Sequence, residues 1–215
     1  MMDNIFPKIH REGYKFLAIS LILSFVFWLI SNFLAFIMIL ITIWVYYFFR
    51  DPERVSINDD KFLISPADGL ITEIKEVQGP QELNLENKNF TRVSIFMNVF
   101  NCHVNRIPTS GKIEEIFYKP GKFLNASLDK ASEENERNYY KIIDKNSKEI
   151  VIVQIAGLVA RRIVCEVSKD QELKQGDRIG MIRFGSRVDL FFNNKKILAK
   201  VGQNVVAGES LLAVE

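Results

Sequence analysis

Two hydrophobic patterns divide this chain, and they meet near residue 50. From Phe16 to Phe49 there is no charged residue, and Leu, Ile, Phe, Trp and Val dominate. That run is longer than the roughly 20 residues of one membrane span. Ser31-Asn32 interrupts it in the middle, so the pattern predicts either one long tilted helix or a helical hairpin turning there. Basic residues flank both ends, Lys8, Arg11 and Lys15 on one side and Arg50 and Arg54 on the other. Positive charge favours the cytoplasmic side of a membrane, which selects the hairpin, shallow or re-entrant given its short arms. No small-residue cleavage site comes after the run, which argues against a secretion signal. Pro52 breaks the helix and pushes Asp51 towards extended geometry. The resulting division is a polar start at 1–15, a membrane-associated segment at 16–49, a linker at 50–61 and a soluble domain at 62–215.

Beyond residue 62 the period changes to that of short strands and turns. Phe62-Leu63-Ile64, Leu70 to Val77, Thr91 to Val99, Ile150 to Ile155 and Ile163 to Val167 read as strands, rich in β-branched residues. Ser65-Pro66-Ala67-Asp68-Gly69 reads as a turn, and Pro108, Gly111 and Gly121 punctuate the stretch after Arg106. Residues 125–137 are polar and partly helix-like, and they read as an excursion from the core. Near the end, Leu173-Lys174-Gln175-Gly176-Asp177-Arg178-Ile179 is echoed by Ala199-Lys200-Val201-Gly202-Gln203-Asn204-Val205. Glycine-centred turns between short strands predict a mainly β domain. The layout resembles the barrel-sandwich hybrid of biotinyl and lipoyl carrier domains, here preceded by an N-terminal hydrophobic hairpin.

Composition narrows the chemistry. A net charge of +2 without a clustered basic face gives no nucleic-acid footprint. Cys102 and Cys165 have no metal-ligand spacing and read as reduced, buried thiols; no metal site is expected. Histidine occurs only at His10 and His103, so imidazole chemistry in the β domain falls to His103. Gly185-Ser186 lies between two apolar runs, and a Gly-Ser bond in a strained turn can undergo an N→O acyl shift with Ser186 as nucleophile. The ester can eliminate to dehydroalanine and hydrolyse to a pyruvoyl group. The alternative reading of the same residues is a glycine-containing hairpin. Asp68, His103 and Ser186 together supply orienter, base and nucleophile.

Several segments carry a specific resemblance. They are Phe-Phe-Arg-Asp-Pro-Glu-Arg (48–54), Ser-Pro-Ala-Asp-Gly (65–69), Phe-Asn-Cys-His-Val-Asn-Arg (100–106), Ala-Ser-Glu-Glu-Asn-Glu-Arg-Asn (131–138), Ile-Ala-Gly-Leu-Val-Ala-Arg-Arg-Ile (155–163) and Arg-Phe-Gly-Ser-Arg-Val-Asp (183–189). In this order they resemble the phosphatidylserine decarboxylase family, in its short bacterial and archaeal-type branch. The resemblance implies self-cleavage between Gly185 and Ser186 into chains 1–185 and 186–215, with Ser186 becoming the pyruvoyl cofactor. It implies that His103 and Asp68 form the charge relay. The longer branch has a second histidine where this chain has Arg106, and Leu-Gly-Ser-Thr where this chain has Phe-Gly-Ser-Arg. It further implies decarboxylation of phosphatidylserine to phosphatidylethanolamine through a Schiff base. The implied partners are phosphatidylserine in the bilayer, the membrane itself, and the large and small chains held as a heterodimer, with further oligomerisation left open. The implied place is the cytoplasmic face of the cell membrane. Two rivals remain, a membrane-anchored adaptor or carrier and a serine hydrolase built on Ser186, His103 and Asp68. No acceptor lysine marks a carrier tip at Gly185-Ser186, and no Gly-x-Ser-x-Gly elbow marks a hydrolase.

Overall fold

The computed structural model describes residues 7–123, 134–157, 162–183 and 186–215. The chain divides into two compact units between Glu53 and Arg54.

The first unit is a pair of apolar helices, α1 (Gly13–Trp28) and α2 (Asn32–Phe48). Neither contains proline or an interior charge beyond Lys15 in the first turn of α1, so nothing interrupts the backbone ladder. The chain reverses at Leu29-Ile30-Ser31, where Ser31 is extended and its amide donates to Phe27 O at 2.8 Å. Small and hydroxyl residues line the contact between the helices: Ser20 and Ala35 are buried, and Ser24 Oγ meets Thr42 Oγ1 at 3.1 Å. Gly13 is required at the base, because a Cβ there would lie 2.4 Å from Phe49 Cβ. Phe16 stacks on Phe49 at 5.1 Å, and His10 N donates to Phe49 O at 2.8 Å. Ile9 bridges to Arg50, so the basic residues at the two ends of the hairpin share one end of the unit. Phe25, Trp28, Ile30, Phe33 and Phe36 are more than half exposed. Helices apolar on all sides are made for a surrounding that is not water. Among the described residues, no helix is long and apolar enough to cross a membrane.

Among the described residues, the second unit is built from fourteen strands. They are β1 (Phe62–Ile64), β2 (Gly69–Gln78), β3 (Asn89–Met97), β4 (Val104–Arg106), β5 (Gly111–Lys119), β6 (Arg137–Asp144) and β7 (Glu149–Ala156). Then come β8 (Ile163–Cys165), β9 (Glu172–Leu173), β10 (Arg178–Ile182), β11 (Ser186–Phe192), β12 (Lys196–Ile197), β13 (Asn204–Val205) and β14 (Leu211–Val214). Eight form one curled antiparallel sheet in the order β13-β2-β3-β11-β7-β6-β5-β9. Two three-stranded sheets, β1-β14-β12 and β4-β10-β8, complete the unit. This is the mainly β, barrel-sandwich-like architecture expected from the turns and strands.

Alternation along β11 sorts the faces of the curled sheet. Val188, Leu190 and Phe192 enter the main core with Ile95, Ile142 and Ile152. Phe191 faces the other way, into a second cluster with Phe90, Tyr139, Val151, Val153 and Ile155. Leu83 and Leu85 cover that cluster from the turn after β2. Every residue of β11 is therefore buried. The sequence echo is real in three dimensions: Gly176 and Gly202 have φ of +88° and +85°. In both turns the backbone closes over three residues, and a side chain, Asp177 or Gln203, caps the amide of Lys174 or Lys200.

Several details differ from the sequence pattern. The strand expected to reach Val99 stops at Met97, because Asn98 and Asn101 bond neighbouring backbone amides and close a turn. Arg137, placed in the excursion, opens β6; residues 125–133 lie outside the described residues. Strand β5 has no clear signature in the sequence, because a bulge between Ile113 and Glu115 breaks its alternation. Residues 54–60, read as linker, bond into the β unit through Ser56 Oγ on Gly208 O at 2.8 Å and Asp59 N on Gln175 Oε1 at 3.1 Å. Cys102 is buried as expected, whereas Cys165 is exposed, since it ends a three-residue edge strand.

Candidate active site

Ser186 is the first residue of β11 and is fully buried. It pairs with Met97 of β3 on one side and Ala156 of β7 on the other. Its hydroxyl lies 3.3 Å from Met97 Sδ. The strand before it, β10, pairs with β4 and β8, not with β11. The chain therefore changes sheets between Ile182 and Ser186, and the simple hairpin is excluded. Gly185 lies outside the described residues, as do 158–161 of the Ile155–Ile163 segment.

His103 comes to this region through the backbone. It precedes β4, and its carbonyl accepts Ile182 N at 3.3 Å at the end of β10. The ring is fully buried. Nδ1 lies 3.0 Å from Asn101 O, and a carbonyl can only accept, so Nδ1 carries the proton. In the neutral ring Nε2 is then the basic nitrogen.

Asp68 sits in the turn before β2, nearly buried. Gly69 has a φ of +157°, and a Cβ there would meet Phe96 O at 2.2 Å, so only glycine lets the turn lie this close to β3. Pro66 O accepts Arg106 N at 2.9 Å, which sets the turn beside the segment carrying His103. The hydrogen bonds of Asp68 go to Ala207 N at 2.8 Å and to Arg54 Nη2 at 3.0 Å. Arg54 is the partner that sequence reasoning missed. It lies within the Phe48–Arg54 motif, but no spacing pointed from it to Asp68.

Behind Ser186 the core turns polar. Asn105, Gln154 and Tyr140 are fully buried within the apolar interior. Burial pushes the Tyr140 hydroxyl well above its ordinary pKa, so it stays protonated and donates. On the outer face, Arg187 is buried against Asp189, Nε to Oδ1 at 2.6 Å, and donates to Ser94 Oγ at 2.8 Å.

The curled sheet buries Ser186, and the segment carrying His103 bonds the end of the strand just before it. Comparison with known proteins assigns the chain to a family. The phosphatidylserine decarboxylase family model matches residues 41–213. A phosphatidylserine decarboxylase proenzyme of Pelagibacter ubique is 66% identical over 99% of both chains. One from Ruegeria pomeroyi is 47% identical over 99% of this chain and 98% of that relative. One from Rickettsia typhi is 51% identical over 98% of this chain and 92% of that relative. The chain belongs to the phosphatidylserine decarboxylase family.

Proposed function

We propose that this protein decarboxylates phosphatidylserine to phosphatidylethanolamine, using a pyruvoyl group made from Ser186 by cutting its own chain after Gly185. The observation that carries this reading is the complete burial of Ser186 at the head of a central strand. Simple hydrolysis at that bond would leave an ammonium group in a dry interior, at large desolvation cost. Conversion to a pyruvoyl group leaves a neutral terminus in the same space, and the residues present fit it.

In the cut, Ser186 Oγ bonds to the Gly185 carbonyl carbon as the C–N bond breaks. Nε2 of His103 is the base that takes the hydroxyl proton. Loss of the Cα proton and of Oγ then frees the Gly185 carboxylate, and hydrolysis releases the nitrogen as ammonia. The product stays assembled, because β11 pairs along its length with β3 and β7 and β14 pairs with β1. The small chain of 186–215 is thus held by the large one as a heterodimer.

When formed, the pyruvoyl group supplies an electrophilic ketone for the substrate amine and an electron sink for the carbanion left by CO2. His103 is the residue to return a proton to that carbon. The apolar hairpin seats the protein in the bilayer where its lipid substrate lies. Lys8, Arg11 and Arg50 face anionic headgroups on the cytoplasmic side of the cell membrane.

An intact-mass measurement on protein extracted from membranes tests the reading. The expected result is two chains, with a small chain of residues 186–215 whose N-terminus resists Edman sequencing. Ser186→Ala should give one inactive chain. A full-length, uncut wild-type chain that still decarboxylates lipid would overturn the reading.

A further inference from the structure

A line of polar side chains crosses the core and ends at Met97, whose sulfur Ser186 also touches. Tyr140 Oη donates to Gln154 Oε1 at 2.7 Å, and Gln154 Nε2 donates to Asn105 Oδ1 at 2.8 Å. Among the described residues, Asn105 Nδ2 then reaches only distant acceptors, Pro66 O at 3.4 Å and Met97 Sδ at 3.7 Å. Ser186 Oγ touches that same sulfur. Asn105 and Ser186 therefore converge on one weak acceptor.

The line has a direction. Tyr140 carries one proton and gives it to Gln154 Oε1 at 2.7 Å rather than to the more distant Ile179 O at 3.4 Å, which sets the amide of Gln154 with its NH2 towards Asn105. That in turn fixes the oxygen of Asn105 towards Gln154 and its NH2 towards Pro66 O and the Met97 sulfur that Ser186 Oγ also touches. An isolated asparagine could present either end. Buried polar chains of this kind raise stability little over apolar residues of the same shape, while each unsatisfied member is costly. Placing one here, with its last donor held by a long contact to Pro66 O and by a thioether sulfur, a weak acceptor, leaves room for a stronger acceptor that forms later.

Resting on the conversion of Ser186 proposed above, we propose that Asn105 donates a hydrogen bond to the carbonyl of the group made from Ser186, and that Gln154 and Tyr140 are positioning residues that aim it. A donor held at a carbonyl polarises it for attack by an amine and stabilises the negative charge that develops on oxygen.

The test uses the full-length protein in detergent, after self-cutting has gone to completion. It compares wild type with Asn105→Ala, Gln154→Leu and Tyr140→Phe. The isotope-edited infrared stretch of the ketone and the rate of its capture by phenylhydrazine are measured beside thermal unfolding. The stretch should move to higher wavenumber in Asn105→Ala and Gln154→Leu, and less in Tyr140→Phe. Capture should slow by about 10²-fold in Asn105→Ala, the size of losing one preorganised donor. A purely structural role would lower the unfolding temperature and leave the stretch unmoved, which would overturn the inference. If Asn105→Ala does not fold, Gln154→Leu and Tyr140→Phe give the same readout with the asparagine intact. A wild-type protein with no ketone signal would instead sink the conversion of Ser186 itself.

Discussion

At the scale of single residues, the pair Arg54–Asp68 decides how the turn at 65–69 is held. Both side chains are largely withdrawn from water, and the carboxylate also accepts Ala207 N. Charge-assisted hydrogen bonds of this kind contribute about 1.5–3 kcal/mol each. Arg54→Ala should therefore destabilise the protein by roughly that amount, because it leaves a mostly buried carboxylate short of its cation. It should also slow self-cutting, since the turn carrying Asp68 lies beside the segment carrying His103. Asp68→Asn alone should cost less than Arg54→Ala, and the double change should cost less than the two single ones added. Denaturant unfolding of all three variants, with the cleavage time course on gels, measures both effects. Strict additivity would show that the two side chains are not coupled.

At the scale of elements, β11 is the strand on which the half-barrel depends. It lies in the middle of the eight-stranded sheet and packs on both faces. Leu190→Ala should cost about 2–5 kcal/mol, the range for a buried leucine that leaves a cavity. Val201→Ser, on an exposed turn, should stay within about 0.5 kcal/mol of wild type. Under the proposed cut after Gly185, β11 and β14 would fall in the small chain, so the cut should not release that chain. The cut protein should run as one species in native gel filtration until it unfolds globally. Early loss of the small chain in mild denaturant would show that pairing with β3 and β7 is weaker than its length suggests.

At the scale of the whole molecule, charge pairs set the acid limit of stability. Burial raises the pKa of Glu149, but hydrogen bonds from Lys88 and Lys141 outweigh it, and the net shift is downward. Burial likewise raises that of Glu73, and Lys75 and Arg92 outweigh it in the same way. A carboxylate whose folded pKa is depressed contributes stability that is present above its unfolded pKa. That contribution is lost as pH falls through the folded value. Stability should therefore be level near neutral pH and decline below about 4.5, the ordinary glutamate range. Thermal melts across pH 7 to 3 check the sign; greater stability at pH 4 than at pH 6 would refute it. The apolar hairpin belongs to this scale too. High salt should leave the full-length protein on membranes, because apolar burial is not screened. A chain beginning at Arg54, which keeps the Arg54–Asp68 pair, should be far more soluble. Release of the full-length protein by salt alone would show that the attachment is electrostatic.

The hydrophobic pattern set an apolar helical segment before a mainly β domain, because burial demands a period and the period is written residue by residue; the flanking basic residues, not the period, chose the hairpin over one long helix. The motifs nominated Ser186 and His103 as candidates, since the chemistry expected of them requires particular residue types in particular neighbourhoods. The tertiary structure decided everything that depends on register across long separations. Gln154 lies 49 residues from Asn105, and Arg54 lies 14 residues from Asp68. No local period links such positions; only the pairing of β7 with β6 and β11, and the fold of the 54–68 segment onto Ala207, bring them together. The same holds for Gly185-Ser186. A glycine between two apolar runs reads as a hairpin as readily as a strained turn, and the hairpin is set aside only by which strands β10 and β11 find as partners.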